Sequence, residues 1–215
     1  MQGIILRGIG GFFYAMDDQG EVHTLRAQNK LRRERMKPLV GDRVEMEPGA
    51  GEEDGWVLAV HPRKNQLVRP PVANVDKVLV VAAAASPDPD LAMIDRLLVN
   101  IRLAGIQPLL AVTKADLNPE NAREICRQYA RAGVSPIAVC APEGRGIAEL
   151  RQALQGSVHA LAGQSGAGKS SLINALYGLE LETGDLSRKI ERGKNTTRRC
   201  ELIPVSGGGM VLDTP

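Results

Sequence analysis

"GQSGAGKSS", residues 163 to 171, follows the apolar run "SVHALA" and leads into "LINALYG". Gly163-x-x-x-x-Gly168-Lys169-Ser170 at the junction of a strand and a helix is the pattern of a phosphate-binding loop. Its glycines, with Gln164, Ser165, Gly166 and Ala167 among and between them, let successive backbone N–H groups turn inward around phosphate oxygens. The N-terminus of the following helix adds the positive end of its dipole, and Lys169 adds a mobile charge. Ser170 is placed to put its hydroxyl on Mg²⁺, with Ser171 beside it in the first turn. A glycine-rich turn with an incidental lysine would give the same letters, but seldom between so clear a strand and helix.

Working upstream, "AVTKAD" (111–116) ends an apolar run with Thr113-Lys114-Ala115-Asp116. The Asp116 carboxylate can accept from guanine N1–H and the exocyclic amine, a paired geometry adenine cannot satisfy, while Lys114 would lay its aliphatic stem along the purine face. A strand running into an aspartate-capped helix gives the same four letters. The later run "SPIAVCA" adds weight, because Cys140-Ala141 stands where GTPases place a Ser-Ala pair whose backbone contacts the base oxygen. Downstream, "GKNTTRR" (193–199) and "VLDTP" (211–215) supply a threonine in a loop and an aspartate after a strand. Thr197, with Thr196 as the fallback, and Asp213 acting through a bound water are the expected further metal handles. Alone, "NTT" reads as a polar loop and "DTP" as a turn. Each base or phosphate element falls at the C-terminal edge of a strand, where open α/β sheets bind ligands. In most GTP-binding domains the phosphate loop comes first; here the base reader does. The order predicts a circularly permuted GTPase core.

At 215 residues the chain is comfortable for two domains. A hydrophobic content of 43% with only 3% aromatic predicts a core of Val, Leu, Ile and Ala, as in buried parallel sheets. A net charge of +2 does not by itself indicate a nucleic-acid partner. Cys126, Cys140 and Cys200 lie far apart, without a C-x-x-C pair, and read as reduced thiols of a cytoplasmic protein. No apolar run is long enough for a membrane helix, and the start lacks the order of a signal peptide.

Up to residue 66 the chain offers short β-like pieces, "GIILRG", "GFFYAMD", "EVHTLRA", "DRVEMEP" and "GWVLAVH", which predict a small barrel over 1–66. "NQLVRPPVANVD" reads as an extended crossover, because proline bars helix. From 67 to 215 apolar runs alternate with helical stretches, the signature of βαβ units on a mostly parallel sheet.

Together these stretches resemble the RsgA (YjeQ/YloQ) family of small-ribosomal-subunit-dependent GTPases. The resemblance runs through "VGDRV" (40–44), "HPRKNQLVRPPVANVDKVLVV" (61–81), "MIDRLLV" (93–99), "TKADL", "GQSGAGKSSLINAL" and "LDTP". It implies an N-terminal OB barrel, a permuted GTPase domain, GTP/GDP with Mg²⁺, and a partner in the small ribosomal subunit and its rRNA; a monomer is expected. Where the family reads Gly-Arg-His-Thr-Thr, this chain has Gly193-Lys194-Asn195-Thr196-Thr197, so Asn195 stands where the histidine that helps the attacking water would be, with Lys169 and Thr197 as the other catalytic candidates. The family's Cys/His zinc-binding domain would follow Pro215, so Zn²⁺ is expected only outside this chain.

The stretch from Arg26 to Lys37, "RAQNKLRRERMK", is strongly basic. It suits either a solvated face or an RNA contact of the barrel, and the resemblance turns the reading toward rRNA. Phe12, Phe13 and Tyr14 offer rings on one strand, where alternation must send at least one into the core. Two other classes stay open from the letters: a P-loop ATPase or kinase, which Asp116 argues against, and an RNA-binding module with a weak nucleotide site, which Lys169, Ser170 and Asp213 argue against.

Overall fold

The computed structural model describes residues 1–33, 36–50, 53–179 and 200–213. The chain divides into two compact units, one built on Met1–Val75 and one that begins at Asp76.

The first unit opens with β1 (Gln2–Ile9), β2 (Phe12–Asp17) and β3 (Val22–Ala27), followed by the short α1 (Asn29–Arg33), β4 (Arg43–Glu47) and β5 (Gly55–Val60). The strands pair in the order β1-β2-β3-β5-β4, and β4 returns to β1, closing a five-stranded barrel. All pairings are antiparallel except β3 with β5. Alternation along β4 turns Val44 and Met46 inward and Arg43, Glu45 and Glu47 outward. The barrel is filled by Ile5, Ala15, Leu25, Val44, Met46 and Val57, with Leu31 of α1 joining the same core. Of the three rings on β2, Phe13 packs against that core, whereas Phe12 and Tyr14 lie beneath the guanidinium groups of Arg26 and Arg7, at 4.5 and 4.3 Å.

The proline-containing segment after the barrel makes two short antiparallel strands, β6 (Gln66–Leu67) and β7 (Val72–Ala73), rather than one extended crossover. It is held to the barrel by a buried fork. Arg63 donates from Nε to Asp42 Oδ1 at 2.7 Å and from an Nη to Oδ2 at 2.8 Å, with Asp42 fully buried. Asn74 adds a bond from its amide to Gly41 O at 2.9 Å. Gly41 has φ 85, and a Cβ there would come within 2.1 Å of Ala73 O, so only glycine lets the two backbones approach this closely.

The second unit runs β8 (Lys77–Ala83), α2 (Leu91–Leu103), β9 (Gln107–Thr113), α3 (Pro119–Arg131), β10 (Ser135–Ala138), α4 (Ile147–Leu154), β11 (Val158–Gly163) and α5 (Lys169–Tyr177); the hairpin of β12 (Glu201–Val205) and β13 (Gly209–Asp213) that follows is divided, Pro204–Val211 belonging to this unit and residues 201–203 and 212–213 to the first. In the order β10-β9-β8-β11-β13-β12, the first four strands pair in parallel. Buried on both sides, β8 is an unbroken apolar run from Val78 to Ala83. Leu79, Val81 and Ala83 share a core with Ile147, Leu150 and Leu154 of α4 and Leu172 and Leu176 of α5. Helix α2 buries Ile94, Leu98 and Ile101, and α3 buries Ala122, Ile125 and Tyr129, each at helical spacing. Both start on a side-chain cap, Asp90 accepting from Met93 N and Asn118 from Asn121 N.

Candidate functional site

Strand β11 delivers the chain to Gly163 beside Val81 of β8. A Cβ on Gly163 would stand 2.2 Å from Val81 O, so glycine is required where the loop leaves the sheet. The loop then turns through Gly166 and Gly168, both at positive φ, and enters α5 with no side chain capping the helix. Lys169 reaches back across this turn, its Nζ donating to Gly163 O and Gln164 O, each at 2.9 Å. Partial burial draws its pKa below the ordinary lysine value. Ser170 is half-buried in the first turn of α5, while Ser165 and Ser171 are exposed.

The end of β9, with the TKAD motif, meets this loop directly. Thr113, the last residue of β9, is buried, and its hydroxyl lies 2.6 Å from Ala167 O and 3.2 Å from Ala82 O, a single proton serving two carbonyls. Thr113 therefore acts on the loop rather than facing solvent. Lys114 follows at φ 54, and its Nζ donates to Gly166 O at 3.0 Å and also to Ser86 O. With its tip anchored on the loop, its stem spans the gap between the two motifs. Ala115 N donates to Val139 O, which brings β10's exit alongside. Asp116 is exposed. Cys140 is buried; desolvation, and then a hydrogen bond toward the Asp116 carboxylate, push its thiol pKa up. The thiol is thus a neutral donor at the Asp116 carboxylate. Cys140 and Arg145 exchange two backbone bonds at 3.1 Å, folding the Ala141 loop into a tight turn.

The structure adds residues the motifs did not suggest. The segment after β8 lines the loop: Ser86 O takes Lys114, Pro87 Cδ lies 3.5 Å from where a Gly166 Cβ would stand, and Asp90 N donates to Gln164 Oε1 at 3.3 Å. "SPDPD" (86–90) just past the apolar run of β8 was the available clue, since that edge is where such sheets bind. Asp213 is the last residue of β13 and is near enough to Cys200 to help raise its thiol pKa, after burial. Asn195, Thr196 and Thr197 lie outside the described residues.

A phosphate loop that follows the base-reading strand in sequence, yet is hydrogen-bonded to it in space, defines a circularly permuted GTPase. Comparisons with known proteins carry this to a family. Residues 60–215 match the model of the RsgA GTPase and residues 2–57 that of the RsgA N-terminal domain. A protein of Caldanaerobacter subterraneus subsp. tengcongensis named "Small ribosomal subunit biogenesis GTPase RsgA" is 40% identical over 217 residues, covering 100% of this chain and 73% of that protein. One of the same name from Geobacillus kaustophilus is 42% identical over 219 residues, covering 100% and 74%. Among solved structures, YjeQ from Thermotoga maritima superposes with a TM-score of 0.83 at 31% identity, over 100% of this chain and 74% of that one. YloQ, described as a circularly permuted GTPase, gives 0.80 at 31%, over 100% and 70%. The chain belongs to the RsgA family and is a GTP hydrolase.

Proposed function

We propose that this chain binds GTP between the loop of residues 163–171 and Thr113–Asp116, and couples its hydrolysis to late maturation of the small ribosomal subunit in the cytoplasm. The observation that carries the reading is the pair of bonds from Thr113 and Lys114 to the carbonyls of Ala167 and Gly166. They support reading the two motifs as parts of one site. Asp116 accepts from guanine, with the Cys140 thiol behind it, and the Cys140-Ala141 turn presents backbone to the base oxygen.

The donor set at the phosphate end suits Mg²⁺. Ser170 offers a hydroxyl one residue past the lysine that closes the loop, and Thr197 and Asp213 would be the further oxygen donors. When bound, Mg²⁺ neutralises developing charge on the phosphate oxygens. Lys169 supplies a second positive charge there, and Asn195 orients water through its amide without taking the proton. The ribosomal contact is made by the barrel through rRNA, with the stretch from Arg26 to Lys37 contributing charge; Lys30, Arg33 and Lys37 are exposed. The chain acts as a monomer.

The test measures GTP turnover with and without small subunits, and GDP and ADP affinity by calorimetry. Subunit-stimulated GTP turnover and a strong preference for GDP are expected, and Asp116→Asn should exchange guanine for xanthine preference. Adenine offers no donor pair to the Asp116 carboxylate, and leaving that acceptor unpaired against a bound base is worth on the order of several kcal/mol. Equal affinity for GDP and ADP would overturn the base assignment.

A further inference from the structure

Three side chains form a row across the outer face of the barrel. Phe12 on β2 stands opposite Arg26 on β3, and Arg26 stands opposite Trp56 on β5. Directly opposed residues project to the same side of a sheet, and neighbouring strands are about 4.8 Å apart, so ring, guanidinium and indole line up over roughly 10 Å. Arg26 lies over the Phe12 ring at 4.5 Å, and its Nε donates to Asp54 at 2.9 Å, which holds the guanidinium plane in place. Trp56 is 43% exposed. Beside the row is a surface cavity of about 240 Å³ bounded also by Gly10, Gly11 and Asn29. A Cβ at Gly10 or Gly11 would meet nothing within 4 Å, so the turn leaves the approach to Phe12 open.

The barrel interior is filled by Ile5, Leu25, Met46 and Val57 without either ring, and Trp56 stands exposed on the outer face while Phe12 is half-buried beneath Arg26. The Trp56 indole and the Arg26 guanidinium, backed by Phe12, present flat surfaces at a place reached from the β1–β2 turn and the faces of β2 and β3, the region through which OB barrels take oligonucleotides. The surroundings are basic on one side, where α1 begins at Asn29 and carries exposed Lys30 and Arg33. On the other side Trp56 faces Glu47 of β4. A polyanion would therefore lay its phosphates toward α1 and its bases toward the row.

We propose that Phe12, Arg26 and Trp56 form a stacking site for an unpaired nucleobase of single-stranded RNA. This rests on the RNA-binding reading of the barrel and adds to it a site whose energy is not mainly ionic, since a base–aromatic stack persists in salt that weakens phosphate contacts.

Trp56 is the only tryptophan of the chain, so it reports on its own site. The purified protein is titrated with a fluorescein-labelled 12-nucleotide oligoadenylate at two salt concentrations, following Trp emission and, separately, the anisotropy of the label. Binding should quench Trp56. Trp56→Ala should weaken binding by about 5- to 150-fold with the same salt slope, Trp56→Phe should restore most of the affinity, and Phe12→Ala should weaken it as well. A triple Lys30→Gln, Arg33→Gln, Lys37→Gln variant should flatten the salt slope yet keep the quench at saturation. Circular dichroism melts of Trp56→Ala and Trp56→Phe check that the barrel is folded. Binding with unchanged Trp emission, and with Trp56→Ala within twofold of the parent, would overturn the stacking site while leaving the electrostatic contact standing. No binding of the oligonucleotide at all would overturn both.

Discussion

Replacing Thr113 by valine removes one hydroxyl while keeping the side chain's shape, and the structure sets what that should cost. Ala167 is fully buried, and its carbonyl lies 2.6 Å from the Thr113 hydroxyl. Stranding a buried carbonyl costs about 1–3 kcal/mol. The consequence reaches beyond stability. The Ala167 carbonyl and the Gly168 N–H belong to one planar trans peptide and point in opposite directions. Holding the carbonyl against β9 therefore turns the N–H toward the opposite side, into the phosphate loop. Without the hydroxyl this peptide is free to rotate, and a phosphate must first pay to orient it. If that orientation is lost, the same 1–3 kcal/mol appears as GDP affinity weakened by about 5- to 150-fold. Calorimetry with GDP and a thermal melt of the same preparation separate the two effects. Thr113→Val should lower both, and Thr113→Ser, which keeps the donor, should restore both. A valine variant that melts several degrees lower but binds GDP within twofold of the parent would refute the peptide-orientation argument, leaving Thr113 a purely structural residue.

Other expectations follow from the same geometry. Arg63→Ala leaves the fully buried Asp42 without its fork and should destabilise the first unit by about 3–5 kcal/mol; urea unfolding followed by Trp56 emission reads this unit, and an unchanged midpoint would show that the fork does not hold the segment. His159 is buried on β11, with Nδ1 donating to Ser157 O and Nε2 accepting from Tyr177 at 2.7 Å; burial first of all lowers its pKa, the bond to Ser157 O opposes this, and Lys77 lowers it further while Asp76 opposes. The unfolded chain then binds the proton more readily, so stability should fall as pH drops through about 6.5 toward the lower folded value, and a His159→Phe variant whose melting temperature is as acid-sensitive as the parent's would exclude this group as the cause. Asn195→Ala should reduce subunit-stimulated turnover by about ten- to a thousandfold with GDP affinity nearly unchanged, because GDP lacks the phosphate that an oriented water attacks; single-turnover rates equal to the parent's would remove Asn195 from the reaction.

The motif order could be read directly because each motif is dictated by local chemistry. A loop that wraps phosphate needs glycines at fixed offsets, and a guanine reader needs a carboxylate just past a strand, whatever lies between. The five barrel strands were legible for a similar reason, since period-two alternation such as that of Val44 and Met46 is imposed by the pleat. What escaped the sequence is long-range pairing. Nothing in the letters tells Asp42 that Arg63 will close on it, or that a proline-rich crossover will fold into β6 and β7. Strand alternation separated Phe13 from Phe12 and Tyr14, but which rings line up with Trp56 depends on a parallel register between β3 and β5 that only barrel closure fixes. The helix α1 is five residues long, too short for an apolar period to show.

Thr113 illustrates why the permuted order is physically cheap. The bonds that join the base reader to the phosphate loop span 54 and 52 positions in sequence, and both end on backbone carbonyls, at Ala167 and Gly166. A carbonyl is present whatever residue occupies the position, so the contact needs only that β9 and β11 end at the same edge of a parallel block. That condition concerns strand direction and neighbourhood, which β8 supplies by pairing with both. It does not concern which strand is synthesised first. Cutting the chain elsewhere and rejoining the old ends leaves the two carbonyls, the hydroxyl and the ammonium where they were. Side-chain changes at Ala167 or Gly166 therefore act through φ and sterics, whereas changes at Thr113 or Lys114 remove the bonds themselves.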